Sequence, residues 1–149
     1  MSTQTQLKTA ESLTRVLADT YALYLKTQNY HWNVSGPNFH SLHLLFGQQY
    51  EQLSEAVDEV AERIRALGVA APGSFSVFSK LTTIQDEKDV PTAEGMLQRL
   101  LEDHGRAART AEEARKIAEA EGDSVSEDLM IGRVAEHEKT QWMLRSLVS

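Results

Sequence analysis

Two histidines and two acids are the candidate metal ligands of this chain. His31 is followed by Trp32, and His43 comes twelve positions after His31. Asp58 and Glu62 stand four positions apart, a spacing that places both side chains on one face of a helix. Imidazole nitrogens and carboxylate oxygens are donors that suit iron, and zinc competes for the same donors. The residue types therefore predict a site for a divalent metal.

The spacing between histidines and acids predicts that one chain supplies only half of this site. Fifteen residues separate His43 from Asp58, and apolar residues keep a helical period across the interval: Leu42, Phe46, Leu53, Val57, Val60, Ile64 and Leu67. A helix of that length separates the two groups by roughly 22 Å. Histidines and acids can therefore serve one ion only if they come from different chains. Two such helices, antiparallel across a two-fold axis, would build two identical sites.

Helical periodicity with few breakers predicts an all-α fold. A first helix is expected from about residue 6 to 31 or just beyond, ended by residues 35–38, and a second from Phe39 to Leu67. Gly68 is a typical C-terminal cap. The segment from Ala71 to Pro91 is too apolar for a free linker and predicts a short packed helix.

Two further long helices follow. Thr92 is predicted to cap the third, which Gly122 ends, and Ser124 with Glu127 predicts a capping box for the fourth. Four long helices with a short helix in the crossover between the second and third indicate a ferritin-like four-helix bundle. Residues 1–149 are expected to form one domain.

Composition excludes several functional classes. Cysteine is absent, so disulfides, thiolate zinc sites and iron-sulfur clusters are excluded, and a cytoplasmic location is favoured. No apolar stretch approaches membrane-spanning length, and residues 1–7 do not resemble a secretory signal. A formal net charge of −7 argues against a nucleic-acid phosphate backbone as the main partner and favours cations.

The remaining histidines do not predict an iron centre inside the bundle. Ferritin-like di-iron centres use Glu-x-x-His motifs on two helices, and none of the five histidines follows a glutamate at that spacing. For His104 and His137 a structural or exposed role is favoured, and His40 is expected to face solvent.

Two sequence motifs resemble those of the Dps family, the mini-ferritins named as DNA-binding proteins from starved cells. The first is His31-Trp32-Asn33-Val34-Ser35-Gly36, followed by Leu42-His43. The second is Val57-Asp58-Glu59-Val60-Ala61-Glu62-Arg63, followed by Leu67-Gly68 and Ala71. The resemblance, together with the helix lengths, extends over nearly the whole chain.

The resemblance implies a hollow shell of twelve subunits with ferroxidase sites at its two-fold interfaces. There His31 and His43 of one subunit would face Asp58 and Glu62 of its neighbour. Iron(II) would be oxidised, preferably by hydrogen peroxide, and stored as iron(III), which protects the cell from oxidative stress. Trp32 beside the site is expected to act in packing or in electron transfer.

The resemblance also implies a route by which iron enters. At one position, however, the chain departs from the family pattern. Asp123 and Asp128 match acids that line iron-entry pores, although N-terminal capping of a helix is the alternative role. The family pattern has an acid four residues after His43, where this chain has Gly47. One tight iron position and one weak position are therefore expected.

Three alternatives stay open at this stage. In the first, the four ligand candidates form an ordinary polar face, with ion pairs such as Asp58 to Arg63 or Glu62 to Arg65. In the second, the chain is a metal-binding oligomer whose oxidation is impaired by Gly47, and in the third it is a DNA-binding nucleoid protein. Strong DNA binding is not expected, because the first ten residues contain Lys8 as their only basic residue.

Overall fold

Five helices make up the part of the chain that the computed structural model describes, namely the backbone of residues 3–148 and the side chains of residues 6–148. They are α1 (Thr3–Asn33), α2 (Phe39–Ala66), α3 (Phe75–Leu81), α4 (Ala93–Ala120) and α5 (Ser124–Val148). No strand occurs within residues 3–148. The predicted all-α bundle with a short helix between the second and third long helices is confirmed. Residues 1, 2 and 149 of the predicted domain lie outside the described residues.

The helix ends follow local sequence signals. Gly68 and Gly122 adopt φ values of +86° and +74° after α2 and α4, in the left-handed region where a side chain is disfavoured. Thr92 caps α4 as predicted, because its hydroxyl accepts a hydrogen bond from the Gly95 N–H. The predicted Ser124 cap of α5 is wrong. Asp123 takes that role, since its carboxylate accepts from the backbone N–H of Ser126 at 3.0 Å.

The core consists of two clusters along the bundle axis. One is centred on α1, with Leu13, Leu17, Ile64, Phe78 and Met130 among its members. The other lies nearer the α1–α2 turn and contains Leu23, Tyr30, Phe46, Leu100 and Leu144. Each of the four long helices contributes to burial in this way, so the α1–α2 and α4–α5 hairpins are held face to face.

The crossover is fixed against α1 by buried polar contacts. Asp19 of α1 accepts hydrogen bonds from the hydroxyls of Thr82 and Thr83 and from the Thr83 N–H. Lys26 of α1 pairs with buried Asp103 of α4 at 2.8 Å and donates to the Gln85 carbonyl oxygen. These contacts place α3 and the segment after it beside the outer face of α1.

Two surfaces of the described chain expose large apolar side chains. The groove surface, lined by Leu25, Trp32 and Phe75, lies between α1 and the crossover. The α5 surface carries Ile131 and Trp142, which are 49% and 61% exposed. Along residues 3–148 none of the helices combines the length and apolarity needed to cross a membrane.

Candidate metal centre

The turn between α1 and α2 places His31 and His43 against each other. His31 Nδ1 lies 2.6 Å from the carbonyl oxygen of His43, and His43 Nδ1 lies 2.7 Å from the carbonyl oxygen of His31. The two rings stack with their centroids 3.9 Å apart and their planes 14° from parallel. This reciprocal pair joins the end of one helix to the start of the next.

The reciprocal bonds decide which nitrogen of each histidine can bind a metal. A carbonyl oxygen only accepts hydrogen bonds, so each Nδ1 carries the hydrogen and each neutral ring keeps its lone pair on Nε2. No described residue hydrogen-bonds to either Nε2. Metal-binding histidines are commonly oriented in this way, by a carbonyl that receives the other ring N–H. The two rings thus present two metal-binding nitrogens on adjacent, nearly parallel planes.

Gly47 is explained by the position of the His31 ring. A Cβ at residue 47 would stand 3.0 Å from His31 Cε1 and 3.2 Å from Nδ1, closer than ordinary contact. A side chain at residue 47 would therefore require the His31 ring to shift by a few tenths of an ångström. The opposite edge is bounded by Tyr50, whose ring centroid is 5.2 Å from that of His31. Glycine in this helix allows the ring to lie directly against the α2 backbone.

Asp58 and Glu62 lie one turn apart on α2, and both are exposed. The fifteen residues from His43 to Asp58 are all helical, which separates the histidines from the acids by roughly 22 Å. Within the described residues no cluster of three or more potential ligands forms. In a single chain the two histidines therefore lie at one end of α2 and the two acids at the other.

The two acids also lack the ion pairs expected of an ordinary polar face. Arg63 bonds instead to Asp123 and the Ser126 hydroxyl, and Arg65 donates to the Val69 carbonyl oxygen. No described residue forms a salt bridge or hydrogen bond with Asp58 or Glu62. Both carboxylates are thus available to a ligand or to another chain.

Trp32 follows His31 but does not pack against it. Its side chain is 62% exposed and lines the groove surface, where a volume of about 660 Å³ is bounded largely by apolar side chains. The described part of the chain shows no ring contact to Trp32. Packing and electron transfer both stay predictions for Trp32.

Comparisons with known proteins agree with this fold. A family model described as a ferritin-like domain matches residues 10–149. A low-temperature-induced protein of Nostoc sp. is 41% identical over 141 residues, 91% of this chain and 77% of that protein. DNA protection during starvation protein 2 of Bacillus anthracis is 33% identical over 93% of this chain and 95% of its own length.

This chain belongs to the Dps family. The crystal structure of the DPS protein from Vibrio cholerae O1 superimposes on it with a TM-score of 0.96 at 30% identity, covering 100% of this chain and 94% of that one. That protein is described as a member of a broad superfamily of ferritin-like diiron-carboxylate proteins. The family resemblance seen in the two sequence motifs is confirmed.

In this Dps chain the two acids matched to iron-entry pores have different surroundings. Asp123 is buried, accepts from Ser126 and pairs with Arg63 at 3.0 Å. Burial alone would raise the pKa of its carboxyl, but the Ser126 hydrogen bonds and the Arg63 charge outweigh it and hold the pKa below the ordinary value. The capping alternative thus describes Asp123 well. Asp128 is exposed, so its carboxylate is open to solvent.

The interior of this Dps bundle contains a histidine pair instead of a carboxylate centre. His104 Nδ1 and His137 Nδ1 lie 2.9 Å apart on α4 and α5, and both side chains are buried. Burial, aided by the Arg133 charge, lowers the pKa of His104 to about 3. Burial, His104 and Arg133 likewise lower the pKa of His137 well below its ordinary value. Both rings are therefore neutral and share one hydrogen in an N–H···N bond.

Sequence reasoning favoured a structural or exposed role for these two histidines and did not identify their pairing. The signal for burial was present, because the helical period that places Leu100 and Ala107 in the core also places His104 there. Their partnership depends on how α4 packs on α5. His40, in contrast, is exposed as expected.

Proposed function

We propose that this Dps protein is a ferroxidase that oxidises iron(II), preferably with hydrogen peroxide, and stores iron(III) inside a hollow shell of twelve copies in the cytoplasm. The observation that carries the proposal is the division of α2: two oriented histidine nitrogens at one end and two unpaired carboxylates roughly 22 Å away. Removing iron(II) and peroxide together would limit oxidative damage.

Two copies of α2, antiparallel across a two-fold axis, would complete two equivalent sites. His31 and His43 of one subunit would then bind iron with Asp58 and Glu62 of the other. Neutral imidazoles and ionised carboxylates form a mixed nitrogen and oxygen set that holds iron(II) and accommodates iron(III). Zinc would compete for the same set.

Exposed apolar surfaces support assembly beyond a dimer. The groove surface next to Trp32 suits the two-fold contact, since it adjoins the histidine half-site. The α5 surface, with Trp142 61% exposed, would remain uncovered in such a dimer. A chain that buries both surfaces needs at least two kinds of contact, which is what a closed symmetric shell provides.

Charge favours the uptake of cations by such a shell. Twelve copies would carry a formal charge of about −84, twelve times the −7 of one chain. We assign Asp128, which is exposed, to the entry route for iron(II). Asp123 would support that route chiefly by capping α5.

Gly47 supports one tight iron position at each site. Glycine has no side-chain donor, so residue 47 supplies no ligand for a second iron position. Iron titration into the metal-free protein should show one strong position per site, which is two per interface, and two equally strong positions per site would contradict this part of the proposal.

Mixed shells test whether the site is shared. Asp58→Ala and His43→Ala subunits are each expected to be inactive alone, but a mixed dimer keeps one intact site. Random co-assembly in equal amounts should therefore restore about a quarter of the wild-type sites. Asp58→Ala mixed with Glu62→Ala is the matched control, because both lesions lie in the same half-site and no intact site can form. Absence of recovery in co-assembled shells of the first pair would contradict a shared site.

Oxidation is tested directly by adding iron(II) anaerobically to metal-free protein, followed by substoichiometric peroxide. Rapid growth of iron(III) absorbance in a soluble twelve-subunit particle would support ferroxidase and storage function. Oxidation no faster than in buffer, with the shell intact, would favour the alternative of a metal-binding oligomer with impaired turnover.

DNA binding is the second candidate function, because curated relatives are named for DNA protection. The negative charge of this chain opposes binding to a phosphate backbone at low salt. We expect no strong direct binding. Retarded complexes at submicromolar protein, in a low-salt gel shift without divalent metal, would overturn this expectation.

A further inference from the structure

A column of aromatic rings runs away from the histidine half-site. The ring of Tyr50 meets that of His31 edge to face at a centroid distance of 5.2 Å. Tyr24 lies 5.9 Å from Tyr50, and Tyr21 lies 5.7 Å from Tyr24. Phe78 closes the column, 5.1 Å from Tyr21. Three of the four tyrosines of the chain thus form consecutive contacts that begin at a proposed iron ligand.

These distances are typical of aromatic packing, which by itself assigns no role to the hydroxyl groups. The three tyrosines are, however, only half-buried, and Tyr24 is bonded by the Gln28 amide at 3.1 Å. Tyr30 differs from them: it is fully buried, outside the column, and donates its hydrogen to Glu87 at 2.6 Å. Unlike Tyr30, none of the tyrosines of the column donates its phenol hydrogen to a carboxylate among the described residues.

We propose that Tyr50 donates an electron to the iron site during peroxide reduction and that Tyr24 and Tyr21 carry the resulting radical away from it. The proposal rests on the ferroxidase function proposed above. Reduction of one peroxide to two waters takes two electrons, and a site with one tight iron supplies only one of them. The ring of Tyr50, in contact with His31, is placed to supply the other.

The balanced step is that one hydrogen peroxide, one iron(II), one tyrosine and one proton give two waters, one iron(III) and one tyrosyl radical. The O–O bond of the peroxide breaks, iron and the phenol are each oxidised by one electron, and the phenol proton passes to water. No hydroxyl radical is released. Exchange between neighbouring tyrosines then moves the radical toward Tyr21, whose ring lies against Phe78 and Phe75 at the groove surface.

Trp32 is the other oxidisable side chain next to a ligand. It follows His31 along the chain, but its ring is mostly exposed, and no ring contact joins it to the column within the described residues. The contact geometry therefore favours Tyr50 as the first donor. The origin of the radical distinguishes these two candidates by experiment.

The experiment loads the assembled, metal-free protein with one iron(II) per subunit and adds peroxide without oxygen. Freeze-quenched electron paramagnetic resonance measures the radical, while iron(III) absorbance and residual peroxide give the ratio of iron oxidised to peroxide consumed. The wild type should show a tyrosyl radical and a ratio near one. Tyr50→Phe keeps the ring and removes the hydroxyl, so the radical should fall several-fold and the ratio should rise toward two. Tyr24→Phe should retain the radical on Tyr50.

Tyr30→Phe is the matched control, because it removes the hydroxyl of the one tyrosine outside the column. It should leave both the radical yield and the ratio at wild-type values. Normal iron oxidation with an unchanged radical in Tyr50→Phe, or with a tryptophanyl signal instead, would overturn the tyrosine relay alone. Absence of iron oxidation in the wild type would refute the ferroxidase function and the relay with it.

Discussion

Acid should destabilise this protein through the buried pair of His104 and His137. The two rings share one hydrogen across 2.9 Å and both are buried, so protonation of either ring would place a positive charge in the core. Arg133 already lowers both pKa values by its charge, and Glu136 is the acid that lines the small cavity beside the pair. The pair is therefore stable only while it is neutral.

The size of the effect follows from the pKa of His104, which is about 3 in the folded protein against 6.5 for an ordinary histidine. Between these values the unfolded chain binds more protons than the folded one, so the free energy of unfolding falls as the pH falls. The loss of stability begins near pH 6.5, the ordinary pKa of a histidine. It grows as the pH falls toward about 3, the pKa of His104 in the folded protein. At about pH 5 it amounts to about 2 kcal/mol for His104 alone, and His137 acts in the same direction.

The assay is urea unfolding followed by far-ultraviolet circular dichroism, at fixed protein concentration and at about pH 7.5 and 5. His104→Gln keeps a hydrogen-bonding side chain but cannot titrate, so the stability of this variant should fall much less between the two pH values. His40→Gln is the control, because His40 is exposed. An unchanged pH dependence in His104→Gln would refute the reasoning, as would a wild type equally stable at both pH values.

Three other substitutions test contacts described above. Gly47→Ala should improve helix propensity by up to about 1 kcal/mol yet weaken iron binding, because the new Cβ would crowd the His31 ring and require it to shift by a few tenths of an ångström. Calorimetric iron titration and thermal unfolding would measure the two effects, and unchanged iron affinity would contradict the second. Asp123→Ala should lower the free energy of unfolding by about 1–2 kcal/mol through loss of the α5 cap. Asp128→Ala should instead leave the unfolding midpoint nearly unchanged and slow iron(II) uptake measured by stopped-flow absorbance. Equal stability of the two variants would count against the capping role of Asp123, and unaltered uptake in Asp128→Ala would count against its place on the entry route. Tyr30→Phe removes a buried hydrogen bond to a carboxylate and should lower the free energy of unfolding by about 1.5–3 kcal/mol in urea titration. A decrease below a few tenths of a kcal/mol would contradict a stabilising role for this hydrogen bond.

The helices were predictable because their signals are local. Periodic apolar residues and the cap at Thr92 depend on neighbours within four positions, and both agreed with the structure. The start of α5 was predicted less well. Ser124 with Glu127 satisfies the capping pattern, but Asp123 is the residue that caps α5. Its carboxylate is also bound by Arg63, which lies sixty residues away in sequence.

The sequence by itself determined the fold, the family motifs and the ligand types, because these follow from residue identity and short-range spacing. Only the tertiary structure decided that each half-site histidine bonds through Nδ1 to the other's carbonyl oxygen, which leaves Nε2 for a metal. The tertiary structure also places Gly47 against the His31 ring and Tyr50 at the start of a column of tyrosines. These contacts join residues on different helices, so they depend on how the helices pack, which no pattern within a single helix specifies.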